Sequence, residues 1–267
     1  MTRSITAHSN PLIKDIRALR DKKGRREQRC FIAEGLRILT DARGNGRLPE
    51  ILLFTAEGAR HELAQTLIAE TEAVGGEVVE TTSEILQKTT GKDNSQSLLG
   101  VYAIPNTALP QIDRAAAPLW IVAQALRDPG NLGTILRTGD AAGAGGLILI
   151  DDCADPFSVE AVRASMGAVF TQAIAAARWE DFVPWLRGGE GQLVGTSLNA
   201  AMDYQGPRYA KPCFLLVGNE QAGLPQNYEA QCDLLVRIPM MGAADSLNAA
   251  VATAVMAYEV INQWRKT

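Results

Sequence analysis

Apolar positions follow two periods that alternate along the chain. Before residue 104, short apolar runs ("RCFIAEG", "EILLFT", "GEVVETT", "LLGVYAI") are separated by stretches with helical spacing such as "ARHELAQTLIAETEAVG". Strands and helices taking turns in this way predict a small α/β domain. After residue 118 the alternation resumes. "LWIVAQAL", "GLILI", "QAIAA", "QLVGTSL", "CFLLVGNE" and "LLVRIP" read as strands, and "NLGTILRTGDAAGA", "SVEAVRASMGAVF" and "WEDFVPWLR" as helices between them. These strands are apolar throughout, as expected for a parallel sheet covered by helices on both faces. Near the C-terminus Leu247, Val251, Ala254, Val255, Tyr258 and Ile261 recur at helical spacing. They predict a helix running to about Trp264 with this face on the core, its first amides capped by Asp245 or Ser246.

Between the two patterns, "IPNTALPQIDRAAAP" carries three prolines and no sustained period. It reads as a linker. The expected division is a domain over 1–104, a linker over 105–117 and a second domain over 118–267.

Composition changes this picture in two places. Cys30, Cys153, Cys213 and Cys232 are scattered without a C-x-x-C pair, and His8 and His61 are the two histidines. Neither a metal site nor a disulfide framework is expected, and a reducing cytoplasm is. With no long apolar run and no signal-peptide core at the N-terminus, no membrane partner is expected. Charge is uneven. Residues 1–30 hold nine Lys or Arg against three acids, a local +6 on a chain of net −4, so the remainder carries −10. Such asymmetry can mark an arm that contacts nucleic-acid phosphates, with Lys14, Arg17, Lys22, Lys23, Arg25 and Arg26 as candidates. A solvated helix face is the alternative.

Ligands of parallel sheets bind in the loops beyond the carboxyl ends of the strands. Three such loops stand out: "RDPGNLGTILRTGDAAGAGG", in which Asn131 can cap the helix carrying Arg137; "VGNEQAGLP", a glycine-flanked acid; and "IPMMGAADSLN", a glycine-bearing turn leading into the last helix. The dinucleotide fingerprint G-x-G-x-x-G is missing after the first strand, and no G-K-[ST] is present to make a P-loop.

"NLGTILRT", "LLVGNEQAGLP" and "IPMMGAADSLNAAVATAVMAYEV", in this order, resemble the three motifs of the SpoU (TrmH-like) family of RNA 2′-O-ribose methyltransferases. "CADPFSVEAVRASMGAVF" resembles that family's middle region. The resemblance spans about 118–264. The preceding stretch, from "SNPLIKDIRALRDKKGRREQRCFIAEGLRIL" onward, is similar to an L30e-like substrate-binding domain.

The resemblance implies an α/β fold, with a SPOUT-type trefoil-knotted catalytic domain behind a small α/β L30e-like domain. It also implies a homodimer through the knotted domain and an S-adenosylmethionine site. Residues placed around that cofactor are Thr196, Ser197, Leu198, Gly218, Asn219, Ile238, Met240, Ser246 and Leu247. Matching the motifs puts Asn131 and Arg137 on the ribose and phosphate side, with Glu220, Ser246 and Asn248 close to the reacting centre. The implied activity is 2′-O-methylation of RNA, ribosomal RNA first. A tRNA enzyme, or an inactive RNA-binding knot protein, is the alternative.

Overall fold

The computed structural model describes residues 3–91, 96–219 and 222–265. The chain forms two compact units: Met1–Pro105 together with Asp155–Thr171, and Asn106–Ala154 together with Gln172–Thr267.

In the first unit the strands are β1 (Arg3–Ser4), β2 (Cys30–Glu34), β3 (Ile51–Thr55), β4 (Glu77–Thr81) and β5 (Leu98–Ala103). The helices are α1 (Pro11–Ala18), α2 (Lys22–Gln28), α3 (Leu36–Gly44), α4 (Glu62–Ala73) and α5 (Ser83–Thr90). The sheet order is β1-β4-β3-β5-β2, parallel across β1, β4 and β3 and antiparallel across β3, β5 and β2. Helix α1 starts where Asn10 accepts the Leu12 amide and Pro11 presets the first turn. It buries Ile13 and Ile16 against Leu53, Val79 and Val101 of the sheet.

Arg25 overturns one of the expected phosphate contacts. It is 3% exposed. Its guanidinium pairs with Asp155 at 2.7 Å and donates to the carbonyls of Leu19 and Arg20 at 2.8 and 2.7 Å. A buried cation must spend its donors inside the protein, and Arg25 does so on the turn between α1 and α2.

Asp155 belongs to an excursion from the later sequence that completes this unit. Around its helix, Val159–Ser165, the aromatic rings of Phe157 and Phe170 meet Phe31 at centroid distances of 5.2 and 5.7 Å, and Tyr102 meets Phe170 at 4.7 Å.

The second unit contains β6 (Leu119–Gln124), β7 (Gly146–Ile150), β8 (Ala173–Ala177), β9 (Gln192–Thr196), β10 (Met202–Asp203), β11 (Cys213–Val217) and β12 (Leu234–Arg237). The remaining helices of the chain are α6 (Pro129–Ala141), α7 (Val159–Ser165, in the excursion), α8 (Trp179–Arg187), α9 (Gln226–Glu229) and α10 (Ala249–Arg265). Every pairing in the order β10-β12-β9-β11-β6-β7-β8 is parallel. The apolar runs fill both faces of this sheet, with Trp120, Val122, Phe182, Phe214 and Leu216 in one continuous core.

Three expectations change at this level. The helix expected over "SVEAVRASMGAVF" stops at Ser165, because Met166 and Gly167 take φ of 50° and 97° and break it before a short 3-10 turn at Ala168–Phe170. The stretch read as a linker is packed: Leu109 and Ile112 are buried in the core of the second unit, and Arg114 donates to the carbonyl oxygens of Trp185 and Leu186 at the end of α8.

The last helix turns the opposite way to expectation. The core takes Ala249, Ala250, Thr253, Met256, Ala257 and Val260, while Val251 and Tyr258 are 49% and 53% exposed. Helix α10 is apolar nearly all round, so periodicity cannot choose its inner face. Packing chooses it: α10 lies on α6 and β11, and the small side chains of Ala249, Ala250 and Ala257 let the backbones approach.

Candidate functional site

The carboxyl ends of β9, β11 and β12 lie level in the sheet, with Leu216 paired to Gly195 and Val236 to Thr196. Their loops enclose a cleft of about 380 Å³. All nine residues expected around a cofactor line it: Thr196, Ser197 and Leu198 after β9, Gly218 and Asn219 after β11, and Ile238, Met240, Ser246 and Leu247 after β12.

The β11 loop folds back on itself. The Gly223 amide donates to the Asn219 carbonyl at 2.9 Å, and the Ala222 amide to Asn219 Oδ1 at 3.1 Å. A Cβ on Gly218 would lie 2.6 Å from the Gly223 carbonyl carbon, so glycine is what permits this close return. Gly223 itself sits at φ +66. Asn219 Nδ2 reaches across to the carbonyl of Ala125 at 2.9 Å.

Two helix caps differ from expectation, and both differences release a side chain for the site. Helix α6 is capped by Asp128, whose Oδ1 accepts the Asn131 amide at 2.6 Å, and Pro129 fills its first turn. Asn131 is therefore not the cap. Helix α10 is capped by Asn248, whose Oδ1 accepts the Ala250 amide at 2.9 Å and the Val251 amide at 3.3 Å. Asp245 and Ser246 are not its caps; they stand in the cleft wall. The second polar atom of Asn248, Nδ2, donates to Asn131 Oδ1 at 2.9 Å. Residues 117 positions apart thus meet at the rim of the cleft, beside Leu247 and Ala249.

Arg137 is not brought to the cleft. It is exposed on α6, about 9 Å along the axis from Asn131 at 1.5 Å per residue, and makes no hydrogen bond or ion pair among the described residues. Glu220 lies outside the described residues. Of the basic set, Lys14, Arg17, Lys22, Lys23 and Arg26 are exposed on α1 and α2, and Lys23 stands 3.9 Å from Glu27.

Lining residues that escaped the sequence reading include Asn199, Leu224 and Glu229. Leu224 and Glu229 carried none, since a leucine in a loop and an acid on a short helix are ordinary.

Residues 118–258 match the SpoU rRNA Methylase family, and residues 10–100 the MRM3-like substrate binding domain. The chain is 29% identical over 259 residues to the 23S rRNA (guanosine(2553)-2′-O)-methyltransferase RlmP of Bacillus subtilis (strain 168), covering 97% of this chain and 99% of the relative. It is 30% identical over 240 residues to the 23S rRNA (uridine(2479)-2′-O)-methyltransferase of Streptomyces viridochromogenes, covering 87% and 83%. The crystal structure of the AdoMet-bound rRNA methyltransferase from Sinorhizobium meliloti superposes with a TM-score of 0.90 at 42% identity, over 98% of each chain. With one match spanning more than half of its length and the relatives running through both of its units, the chain belongs to the SpoU rRNA methylase family.

Proposed function

We propose that this protein methylates a ribose 2′-oxygen of ribosomal RNA with S-adenosylmethionine as donor. The observation that carries the reading is the convergence of three distant loops on one cleft, with the Asn131–Asn248 pair at its rim.

The cleft suits such a donor. Val217, Leu224, Val236 and Ile238 offer apolar wall to an adenine ring, while Thr196, Ser197 and Ser246 offer hydroxyls, and the glycine at 218 opens backbone to the ligand. When bound, S-adenosylmethionine supplies an electrophilic methyl group. The chain's own residues must then align one hydroxyl and provide an exit for its proton. Alignment alone is worth roughly 7–11 kcal/mol in favourable cases. The paired amides of Asn131 and Asn248, rigid because Asn248 also caps α10, are placed to hold the ribose. Arg137, exposed and unpaired among the described residues, serves as a phosphate anchor. It is a poor base: taking a proton off a guanidinium of pKa above about 12 near pH 7 costs on the order of 7 kcal/mol. The 2′-hydroxyl proton leaves to water as the oxygen–methyl bond forms and the methyl–sulfur bond breaks.

The front domain supports ribosomal RNA as the substrate, and the exposed Lys14, Arg17, Lys22, Lys23 and Arg26 suit a phosphate backbone. In this reading residues 1–104 form the RNA-binding domain, 105–117 the connection and 118–267 the catalytic domain. A cytoplasmic location goes with this substrate; among the described residues no helix is long and apolar enough to cross a membrane. A trefoil knot is part of the proposal. Its support is that β12 lies between β9 and β10, neighbours in sequence, after which α10 returns to α6 and β11.

The reaction product tests the reading. Purified protein given labelled S-adenosylmethionine and ribosomal RNA is expected to place label on a nucleotide whose 3′ linkage resists alkali, because a methylated 2′-oxygen cannot attack the neighbouring phosphate. Label at a position that still cleaves in alkali would make it a base methyltransferase. An RNA carrying deoxyribose at the target is expected to be inert.

The exposed Val251 and Tyr258 on α10 support a second copy of this chain as their cover. Light scattering at micromolar concentration is expected to return twice the chain mass. A monomer would overturn the dimer.

A further inference from the structure

Beside the cleft, several strand ends are tied together by groups that the reaction above does not use. Asp151, directly after β7, sits at φ +62. Its carboxylate accepts from three other elements: the Trp179 amide at 3.3 Å, Gln124 Nε2 at 3.2 Å and the Tyr228 hydroxyl at 2.9 Å. The Tyr228 ring lies flat on Trp179, with centroids 3.9 Å apart and planes 6° from parallel. Tyr228 stands on α9 next to Glu229, a wall residue of the cleft, and just after Leu224, another.

The other end of the same loop is anchored in a similar way. Asn219 donates to the carbonyl of Ala125, which sits at φ +49 on the end of β6. Non-glycine residues rarely occupy this left-handed region, and they persist there where surrounding structure holds them, often beside functional sites. Here each of the two directs an acceptor at the loop that forms the cleft wall.

We propose that Tyr228, held by the Asp151 carboxylate and the Trp179 ring, is a positioning residue that fixes the Leu224–Glu229 wall of the S-adenosylmethionine cleft. The proposal rests on the reading of the cleft as that cofactor's site. The two contacts divide the work. The ring stack supplies packing but lets the tyrosine slide in its plane; the hydrogen bond to a carboxylate is directional and stops the slide. Burial, with the Asp151 hydrogen bond and charge behind it, pushes the Tyr228 hydroxyl up to about 12, so it stays a donor at neutral pH.

Tyr228→Phe in the full chain keeps the stack and removes only the hydroxyl. The dissociation constant of S-adenosylmethionine, measured by calorimetry, is expected to rise about tenfold, the scale of a hydrogen bond to a charged group. The KM for RNA is expected to stay unchanged, and the melting temperature to fall only slightly. Asp151→Asn leaves one acceptor oxygen and is expected to weaken cofactor binding in the same direction. Combining it with Tyr228→Phe should add less than the two single effects, because both act through one contact. An unchanged cofactor constant in Tyr228→Phe would overturn the proposal, and so would a parallel loss in both substrates with a large drop in melting temperature. Wild-type protein that binds no S-adenosylmethionine would overturn the site reading and this proposal with it.

Discussion

Arg137→Ala is expected to lower methyl transfer by a factor on the order of 10–10², the scale of a lost charge-assisted contact, while S-adenosylmethionine affinity stays nearly intact. The separation follows from where the residue stands. Arg137 projects from α6 into solvent, away from the cleft lining, and spends none of its donors on the described protein. Its binding capacity is therefore available to RNA. A lost phosphate anchor should also flatten the dependence of RNA affinity on salt, by a slope of about 0.7–0.9 for one contact. Arg137→Lys should restore part of the rate, since it returns the charge without the planar fork. Equal losses of cofactor affinity and rate in Arg137→Ala would place the residue in the cofactor pocket instead.

Arg25→Ala is expected to destabilise the protein by about 3–5 kcal/mol, the usual cost of removing one partner of a buried ion pair. The exposed neighbour Arg26→Ala should change stability by no more than about 0.5 kcal/mol. Arg25 holds Asp155 and two carbonyls from beneath the basic surface, so its loss leaves a carboxylate and two acceptors without their donor. Urea denaturation of both variants checks the contrast. RNA affinity separates the residues in the opposite sense. Charge removal at Lys14, Arg17 and Arg26 should weaken binding and its salt dependence without loss of stability. Equal stability of the Arg25 and Arg26 variants would return Arg25 to the surface set.

The alternation of apolar runs with helical spacing was enough to predict α/β structure, because burial on both faces of the second unit's parallel sheet leaves its strands mostly apolar. All six strands read after residue 118 form in the sheet. The short β10 was not legible: two exposed residues, Met202 and Asp203, carry no period. The cleft was legible for a different reason. Loops beyond strand ends are where glycines and polar residues have no packing duty, so "VGNEQAGLP" and "IPMMGAADSLN" stood out as they are.

What the sequence determined by itself, then, was the set of elements, the loops that meet at the cleft and the family to which the motifs belong. Tertiary structure decided which of several equivalent residues takes each duty. Asp128 and Asn248 cap helices where Asn131, Asp245 and Ser246 had equal local claims, since any short polar side chain can accept an amide. Arg25 is buried among exposed arginines because Asp155, 130 positions away, arrives above it. Helix α10 buries Ala249, Thr253, Met256, Ala257 and Val260 because α6 and β11 pack on that side of it. In each case the local free energies of the candidates differ by little, and the choice falls to a partner brought near only by the folded chain.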